Sequence, residues 1–152
     1  TIKISRGFLG RVIDFQGHPI DGKGPIEQSG VEARSIYGVA LNPLQRPPIK
    51  EALDTGIHAI NCFMTAGKGQ RFAIMAGSGV GKSVTMGMIA QNSSADINVI
   101  ALIGERGREV LEFIEHDLGP EGLKKSDVIV ATSDSSALTR MKAAYVATTV
   151  AE

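Results

Sequence analysis

Short apolar runs that alternate with helix-type patterns organise the second half of the chain. Phe72–Ala76, Ile97–Ile103 and Asp127–Thr132 are brief runs rich in apolar residues. Runs of this length predict buried strands of a parallel sheet. A stretch with helical spacing follows each run, and the last such stretch is Ala137–Ala151. Strand and helix repeated three times predict an α/β fold with right-handed crossovers.

Each predicted helix carries apolar residues at helical spacing, and this spacing predicts its register. The sets are Val84, Met88 and Ile89 in the first helix, Val110, Leu111, Ile114 and Leu118 in the second, and Leu138, Met141, Tyr145 and Thr148 in the third. Gly119-Pro120 predicts the end of the second helix, and Ser133–Ser136 supplies cap residues for the third.

The first half of the chain has weaker patterns and divides into two further parts. Residues 1–26 predict small β structure, with a strand over Phe8–Asp14 and turns rich in glycine and proline after it. Residues 27–69 predict a connector that ends in a lead-in helical segment near Ile49–Phe63. The strand–helix repeats then fill residues 70–152.

A glycine-rich turn between the first strand and its helix holds the candidate chemistry. Strand, glycine-rich turn, Lys82-Ser83 and helix form the context of a phosphate-binding loop. Backbone N–H groups of such a loop point at a polyphosphate, Lys82 reaches the terminal phosphates, and the Ser83 hydroxyl suits a magnesium ion. The candidate contacts are Gly77, Ser78, Gly79, Val80, Gly81, Lys82, Ser83 and Val84.

Ala76 departs from the generic form of this loop, which has glycine at that position. The alternative is a plain glycine-rich turn with an exposed lysine. The predicted strand, the spacing and the predicted helix together favour the phosphate-binding interpretation.

A charged run follows the second predicted strand. Since ligands of parallel sheets bind at the carboxyl ends of the strands, we expect Glu105 to lie beside the phosphate loop. A carboxylate there can orient an attacking water, and Arg106 can neutralise charge on a transferring phosphoryl group. By itself the run from 105 to 109 is typical of a solvated loop with local ion pairs, but its position favours the catalytic interpretation.

Composition narrows the class of protein. The chain has 152 residues, enough for one domain with a core, and its 16 basic and 16 acidic residues give a formal net charge of zero. That balance disfavours a general nucleic-acid or membrane-surface binder. Cys62 is the only cysteine, so an internal disulfide is excluded and a reducing compartment is favoured. The sequence has no apolar run long enough to span a bilayer.

Several of these segments carry a family resemblance. Ala76–Ser83 (AGSGVGKS) and Ala101–Val110 (ALIGERGREV) resemble the ATPases of type III protein export, which are relatives of the rotary ATP synthase catalytic subunit. Phe8–Gly24 resembles the end of that family's N-terminal β-barrel. The export ATPases also carry alanine at the position of Ala76. The resemblance covers nearly the whole chain and leaves the flagellar and injectisome branches open.

The resemblance implies a fold, cofactors and residue roles. The implied fold is a RecA-like phosphate-loop core with a partial parallel sheet, preceded by the end of a small β-barrel, in a fragment of a longer protein. ATP and Mg²⁺ are the implied cofactors. Lys82 becomes the phosphate-binding lysine, Ser83 the magnesium ligand, Glu105 the residue that activates water, and Arg106 a γ-phosphate contact.

The resemblance also implies partners and a location. The family works as a ring, expected to be a homohexamer, with a stator protein, a central stalk protein and chaperone-bound export substrates as partners. It has no nucleic-acid partner and no transmembrane segment, and it lies in the cytoplasm at the inner face of the bacterial inner membrane. The arginine finger and a second magnesium-binding residue are expected beyond Glu152, so the fragment alone is expected to be inactive.

The implied function is ATP hydrolysis that energises type III export, with flagellar export preferred and injectisome secretion as the alternative. An alternative of another class is a noncatalytic subunit that binds nucleotide to hold a ring together. Such a subunit has no need of Glu105. A hexameric motor on nucleic acid is the third possibility, and the zero net charge disfavours it.

Overall fold

A computed structural model describes residues 1–27, 29–39, 41–77 and 79–152. Its strands are β1 (Ile2–Ile4), β2 (Val12–Ile13), β3 (Glu32–Arg34), β4 (Asn98–Ile103) and β5 (Ser126–Ala131). Its α-helices are α1 (His58–Phe63), α2 (Lys82–Asn92), α3 (Gly107–Glu112), α4 (Gly119–Lys124) and α5 (Ala137–Ala151). Short 3₁₀ turns span Arg6–Phe8 and Pro43–Gln45, and a π-helical turn, Phe113–Leu118, joins α3 to α4. None of the described helices is both long and apolar enough to cross a membrane.

A three-stranded parallel sheet lies at the centre, in the order β2-β5-β4. Val128 of β5 pairs with Ile100 of β4 on one side and with Val12 of β2 on the other. β1 and β3 form a separate antiparallel pair. The α/β fold with a parallel sheet is therefore confirmed. The second and third predicted strands are correct to within one residue, and the third helix has the predicted bounds.

The side chains of β5 alternate between the two faces of the sheet, and both faces are apolar. Helices cover both faces and form a separate core on each side. On one side Ile129 and Ala131 pack with α5 and with the N-terminal residues Ile2, Phe8 and Ile13. On the other side lies a second cluster with residues from α2, α3 and the π-helical turn. It contains Val12, Ala90, Ile100, Val110, Phe113, Leu118, Val128 and Val130.

The predicted strand over Phe72–Ala76 is wrong. The segment is irregular, with Phe72 49% and Met75 91% exposed. A strand needs a neighbour for its backbone N–H and C=O groups. In the part of the chain that the structure describes, the sheet ends at β4, and no strand pairs with this segment. The predicted strand over Phe8–Asp14 is also too long. The observed strand, β2, spans only Val12–Ile13 and follows a 3₁₀ turn that Ser5 caps.

The predicted apolar face of α5 is exposed. Leu138, Met141 and Tyr145 face outward, whereas Ala143 and Val146 are buried. Small side chains let a helix lie close to a sheet, so the helix buries its smaller residues here and not its larger ones. Ser136 caps this helix as predicted, by accepting a hydrogen bond from the Thr139 N–H at 3.1 Å.

The α2 helix also buries small residues. Val84 and Met88 of the predicted set are exposed, and Gly87 and Ala90 are buried. A Cβ at Gly87 would lie only 2.4 Å from the Asp117 carbonyl oxygen, so the π-helical turn packs directly on the α2 backbone. This contact requires glycine at position 87.

The second predicted helix is correct in part. Val110 and Leu118 are buried, but Leu111 is exposed. Gly119-Pro120 begins α4 instead of ending the helical region. Gln91 of α2 donates hydrogen bonds to the carbonyl oxygens of Asp117 (2.7 Å) and Leu118 (3.1 Å). These bonds satisfy carbonyls at the end of the π-helical turn.

Two carboxylates of the fold have opposite environments. Asp21 accepts a two-point ion pair from Arg11 at 2.7 and 2.8 Å, and this contact holds the pKa of Asp21 well below its usual range. Asp127 lies on β5 and is 9% exposed. Its Oδ1 accepts no hydrogen bond from any residue that the structure describes. Burial raises the pKa of Asp127 to about 6.

Candidate functional site

The phosphate-loop residues form a turn that leads directly into α2. Gly79 (φ 77°) and Gly81 (φ 94°) adopt left-handed backbone conformations that favour glycine. Thr85 fixes the end of the loop, since its N–H and its hydroxyl both donate to the Gly81 carbonyl at 2.9 Å. Lys82 and Ser83 consequently occupy the first turn of α2. Ser78, also a predicted contact, lies outside the described residues.

Gly77 differs from the other loop glycines. It has no left-handed φ, and a Cβ built on it would meet nothing within 4 Å. Neither the backbone conformation nor the packing of the described residues therefore requires glycine here. In a phosphate-binding loop, glycine at such a position lets a bound group approach the backbone closely.

Replacing Gly77 by alanine is therefore expected to leave folding unchanged and to weaken polyphosphate binding at the loop about tenfold, which is about 1.4 kcal/mol. The added methyl group would fill the space that a phosphate needs. Titration of the full-length protein with a fluorescent ATP analogue measures this change. Gly38→Ala is the matched control, because Gly38 also has open space and no left-handed φ. Equal affinities of the two variants would contradict the prediction.

A cleft of about 690 Å³ brings most of the predicted site residues together. Its walls come from the phosphate loop, the start of α2, the end of β4 and the start of α3. The predicted residues that line it are Gly77, Gly79, Gly81, Lys82, Ser83, Val84, Glu105 and Arg106. Val80 is exposed and is not among the lining residues. Glu109, Glu112, Asp117 and Ser133 also line the cleft, although the sequence patterns do not predict them as site residues.

Backbone contacts between β4 and β5 place Glu105 in the cleft. The Gly104 N–H donates to the Ala131 carbonyl at 2.7 Å, and the Ser133 N–H donates to the Glu105 carbonyl at 2.9 Å. Gly104 turns the chain at φ 78°. Glu105 therefore stands at the carboxyl end of the sheet, as the strand pattern predicts.

The Glu105 carboxylate meets the phosphate-loop lysine. Lys82 Nζ lies 3.5 Å from Glu105 Oε1, and the two side chains are 47% and 36% exposed. Ion pairs with this exposure contribute about 0–1 kcal/mol. Breaking this ion pair therefore costs little free energy, so Lys82 can move from Glu105 to a polyphosphate that enters the cleft.

Arg106 also lines the cleft and is the N-cap residue of α3. Its carbonyl accepts hydrogen bonds from the N–H groups of Glu109 (2.9 Å) and Val110 (3.1 Å). Its guanidinium Nη1 lies 3.1 Å from Glu109 Oε1. Burial works to raise the pKa of Glu109, but hydrogen bonding to the Arg106 backbone and to the Arg106 guanidinium outweighs it and lowers that pKa. Residues three apart at the start of a helix lie on the same side, and this spacing is the feature of the sequence that indicates the pair.

The residues present fit a magnesium ion that is shared with phosphate. Among the described residues, no group of three or more His, Cys, Asp or Glu side chains could hold a metal ion by itself. Mg²⁺ keeps several waters and is usually bound through one or two protein groups plus substrate phosphates. Ser83, at the start of α2 in the cleft wall, offers one such oxygen.

Comparison with known proteins connects this cleft to a family. Residues 56–152 match the model of the ATP synthase alpha/beta family, nucleotide-binding domain. The chain is 56% identical over 151 residues to the flagellum-specific ATP synthase of Bacillus subtilis and 50% identical over 151 residues to that of Salmonella typhimurium. Each alignment covers 99% of this chain. The chain spans about a third of the length of these relatives, 34% and 33% respectively.

Solved structures show the same fold. A prototypical ATPase from the type III secretion system of pathogenic bacteria matches with a TM-score of 0.89 and 46% identity, over 99% of this chain and 43% of the other. EscN of the enteropathogenic E. coli type III secretion system, assembled with its central stalk EscO, matches with a TM-score of 0.88 and 47% identity. That match covers 99% of this chain and 36% of EscN.

The sequence resemblance is thus confirmed by relatives and by structures alike. The family match covers more than half of the chain, and it contains the phosphate loop, Glu105 and Arg106. The chain belongs to the ATP synthase alpha/beta family through its nucleotide-binding domain, and within that family it is similar to the ATPases of type III export.

Proposed function

We propose that the protein containing this chain hydrolyses ATP to energise type III protein export. The observation that carries the proposal is the meeting of Lys82 and Glu105, 3.5 Å apart, in the cleft above the phosphate loop. A phosphate-binding lysine and a carboxylate at one site suit hydrolysis, since the carboxylate can orient a water towards the terminal phosphate. Flagellar export is the preferred branch, because several of the most similar relatives are named flagellum-specific ATP synthases.

The loop and the first turn of α2 bind the phosphates in this proposal. Backbone N–H groups and the positive end of α2 favour the phosphate charge, and Lys82 adds a cation. The Ser83 hydroxyl would hold a Mg²⁺ ion, which would supply positive charge next to the phosphate oxygens. As Lys82 moves to the phosphates, the Glu105 carboxylate is released to hold the attacking water. Arg106 then stabilises charge on the phosphoryl group.

The proposed domain organisation and partners extend beyond this chain. In this proposal residues 1–26 are the end of an N-terminal β-barrel, within which β2 also pairs with β5 of the central sheet. Residues 27–69 are the connector, and residues 70–152 are the first part of the nucleotide-binding domain. A homohexameric ring with a central stalk protein is supported by the assembled EscN structure and its complex with EscO. A stator protein and chaperone-bound substrates are the other proposed partners. The ring works in the cytoplasm at the inner face of the inner membrane.

Steady-state hydrolysis by the full-length protein, measured beside binding of labelled ATP, tests the proposal. We expect Mg²⁺-dependent turnover that rises as the ring assembles, and its loss when EDTA removes the metal. The rise is expected because an arginine supplied by a neighbouring subunit is typically worth about 10³–10⁵ in rate. Tight ATP binding without turnover at ring-forming concentrations would overturn the proposal and favour a noncatalytic ring subunit.

A further inference from the structure

We propose that Ser133 is a further catalytic residue, whose hydroxyl accepts the second hydrogen bond from the water that Glu105 holds. The inference rests on the proposed function and adds one contact to it. Among the described residues that line the cleft, Ser83 and Ser133 are the ones that carry a hydroxyl group. Ser83 is assigned to the magnesium ion. The Ser133 hydroxyl is therefore the one that the proposed mechanism leaves unused.

Backbone contacts fix Ser133 beside Glu105. The Ser133 N–H donates to the Glu105 carbonyl at 2.9 Å, just beyond the ends of β5 and β4. The bond from the Gly104 N–H to the Ala131 carbonyl, at 2.7 Å, joins the same two segments one step earlier. Segments joined in this way lie about 5 Å apart, so a serine side chain reaches the space next to its neighbour's side chain. Both residues line the same cleft, which places the hydroxyl near the Glu105 carboxylate.

The Ser133 side chain is available to a bound molecule. Ser133 is exposed, and the contact that fixes it uses its backbone N–H and not its hydroxyl. Ser136, at the end of the same loop, differs in this respect. Its hydroxyl serves the fold, because it accepts the hydrogen bond from the Thr139 N–H that caps α5. Removing the Ser133 hydroxyl should therefore leave the loop and the helix intact.

Hydrolysis needs a water molecule that is held in one orientation. The water must direct a lone pair at the terminal phosphorus, so its two hydrogens point elsewhere. One hydrogen bond goes to Glu105, which accepts the proton and passes it to solvent. A second acceptor stops rotation about that first bond, and a hydroxyl accepts without adding negative charge beside the phosphates. The water oxygen bonds to phosphorus, the bond from phosphorus to the bridging oxygen breaks, and ADP leaves with that electron pair.

Single-turnover hydrolysis by the full-length protein, under ring-forming conditions, isolates the chemical step and tests this role. We expect Ser133→Ala to lower the rate constant about fivefold, which is typical of one lost hydrogen bond. The Kd for labelled Mg-ATP should change less than twofold. Ser133→Thr, which restores a hydroxyl, should recover most of the lost rate. A wild-type rate in Ser133→Ala, equal losses in the two variants, or a loss confined to binding would overturn the proposal.

Ser135→Ala is the matched control. Ser135 lies two residues further along the same loop, and it is not among the described residues that line the cleft. Its rate constant should equal that of wild type.

A double-mutant cycle with Glu105→Gln separates catalysis from structure. In that background Ser133→Ala should add less than a twofold loss, because both residues act on one water. A fivefold loss in both backgrounds would show that Ser133 acts through the fold, and it would overturn the proposal. Absence of hydrolysis by the wild-type ring would instead tell against the proposed function itself.

Discussion

Glu105→Gln is expected to lower ATP hydrolysis by the full-length protein by about 10²–10⁴-fold. Glutamine has nearly the same size as glutamate, but it carries no charge and cannot accept a proton from water. The backbone bonds that hold residue 105, from Ser133 and through Gly104 to Ala131, do not involve the side chain. The variant should therefore fold normally and lose only the chemistry.

Binding of Mg-ATP by Glu105→Gln is expected to be as tight as in wild type, or tighter. The variant removes the carboxylate that competes for Lys82 at 3.5 Å. Equilibrium binding of labelled ATP, measured beside steady-state turnover, separates the two effects. Glu115→Gln, at an exposed position on the π-helical turn, is the control and should retain wild-type turnover. Hydrolysis by Glu105→Gln at the wild-type rate would show that another group positions the water.

Asp127→Asn is expected to stabilise the protein at neutral pH, by at most about 3 kcal/mol. Burial raises the pKa of Asp127 from 3.8 to about 6 in the folded protein. A shift of about two units corresponds to about 3 kcal/mol, at about 1.4 kcal/mol for each unit. The folded protein binds this proton more tightly than the unfolded chain, so this carboxyl lowers stability as pH rises from about 4 to about 6. Asparagine removes that cost because it has no charge to bury.

The difference in unfolding free energy between wild type and Asp127→Asn should therefore depend on pH. It should be largest above pH 7 and should shrink towards zero below about pH 3, where both states of the wild type are protonated. Urea unfolding at several pH values measures it. Asp96→Asn, at an exposed position, should change stability by less than about 0.5 kcal/mol. A pH-independent difference for Asp127→Asn would contradict the raised pKa.

Local patterns predicted the parts of the fold whose partners lie nearby in sequence. β4, β5 and α5 follow from apolar runs and helical spacing, and the capping role of Ser136 follows from its position before α5. The segment Phe72–Ala76 has the same apolar pattern and no strand. Whether an apolar run becomes a strand depends on a pairing neighbour, and that information does not lie in the run itself.

The candidate site shows the same division. The loop spacing predicted Lys82 and Ser83 at the start of α2, and the strand-end rule predicted Glu105 beside them. The contact between Gly87 and the Asp117 carbonyl could not be predicted, because it depends on how two helical segments cross. The burial of small residues on α5 has the same origin. The size of a side chain indicates how much apolar area it can bury. The distance between the helix and the sheet, however, decides which face of the helix is buried.

The outer edge of β4 has a consequence for handling the isolated chain. β4 pairs with β5 along one side, and among the described residues its other side has no neighbouring strand. A six-residue edge with unpaired N–H and C=O groups is a template for strand addition between copies. The exposed side chains of Phe72 and Met75 add apolar surface that can also contact another copy of the chain. During expression and concentration, self-association through this edge will compete with native assembly, and a charged substitution at exposed Ala101 is the natural means of suppressing it.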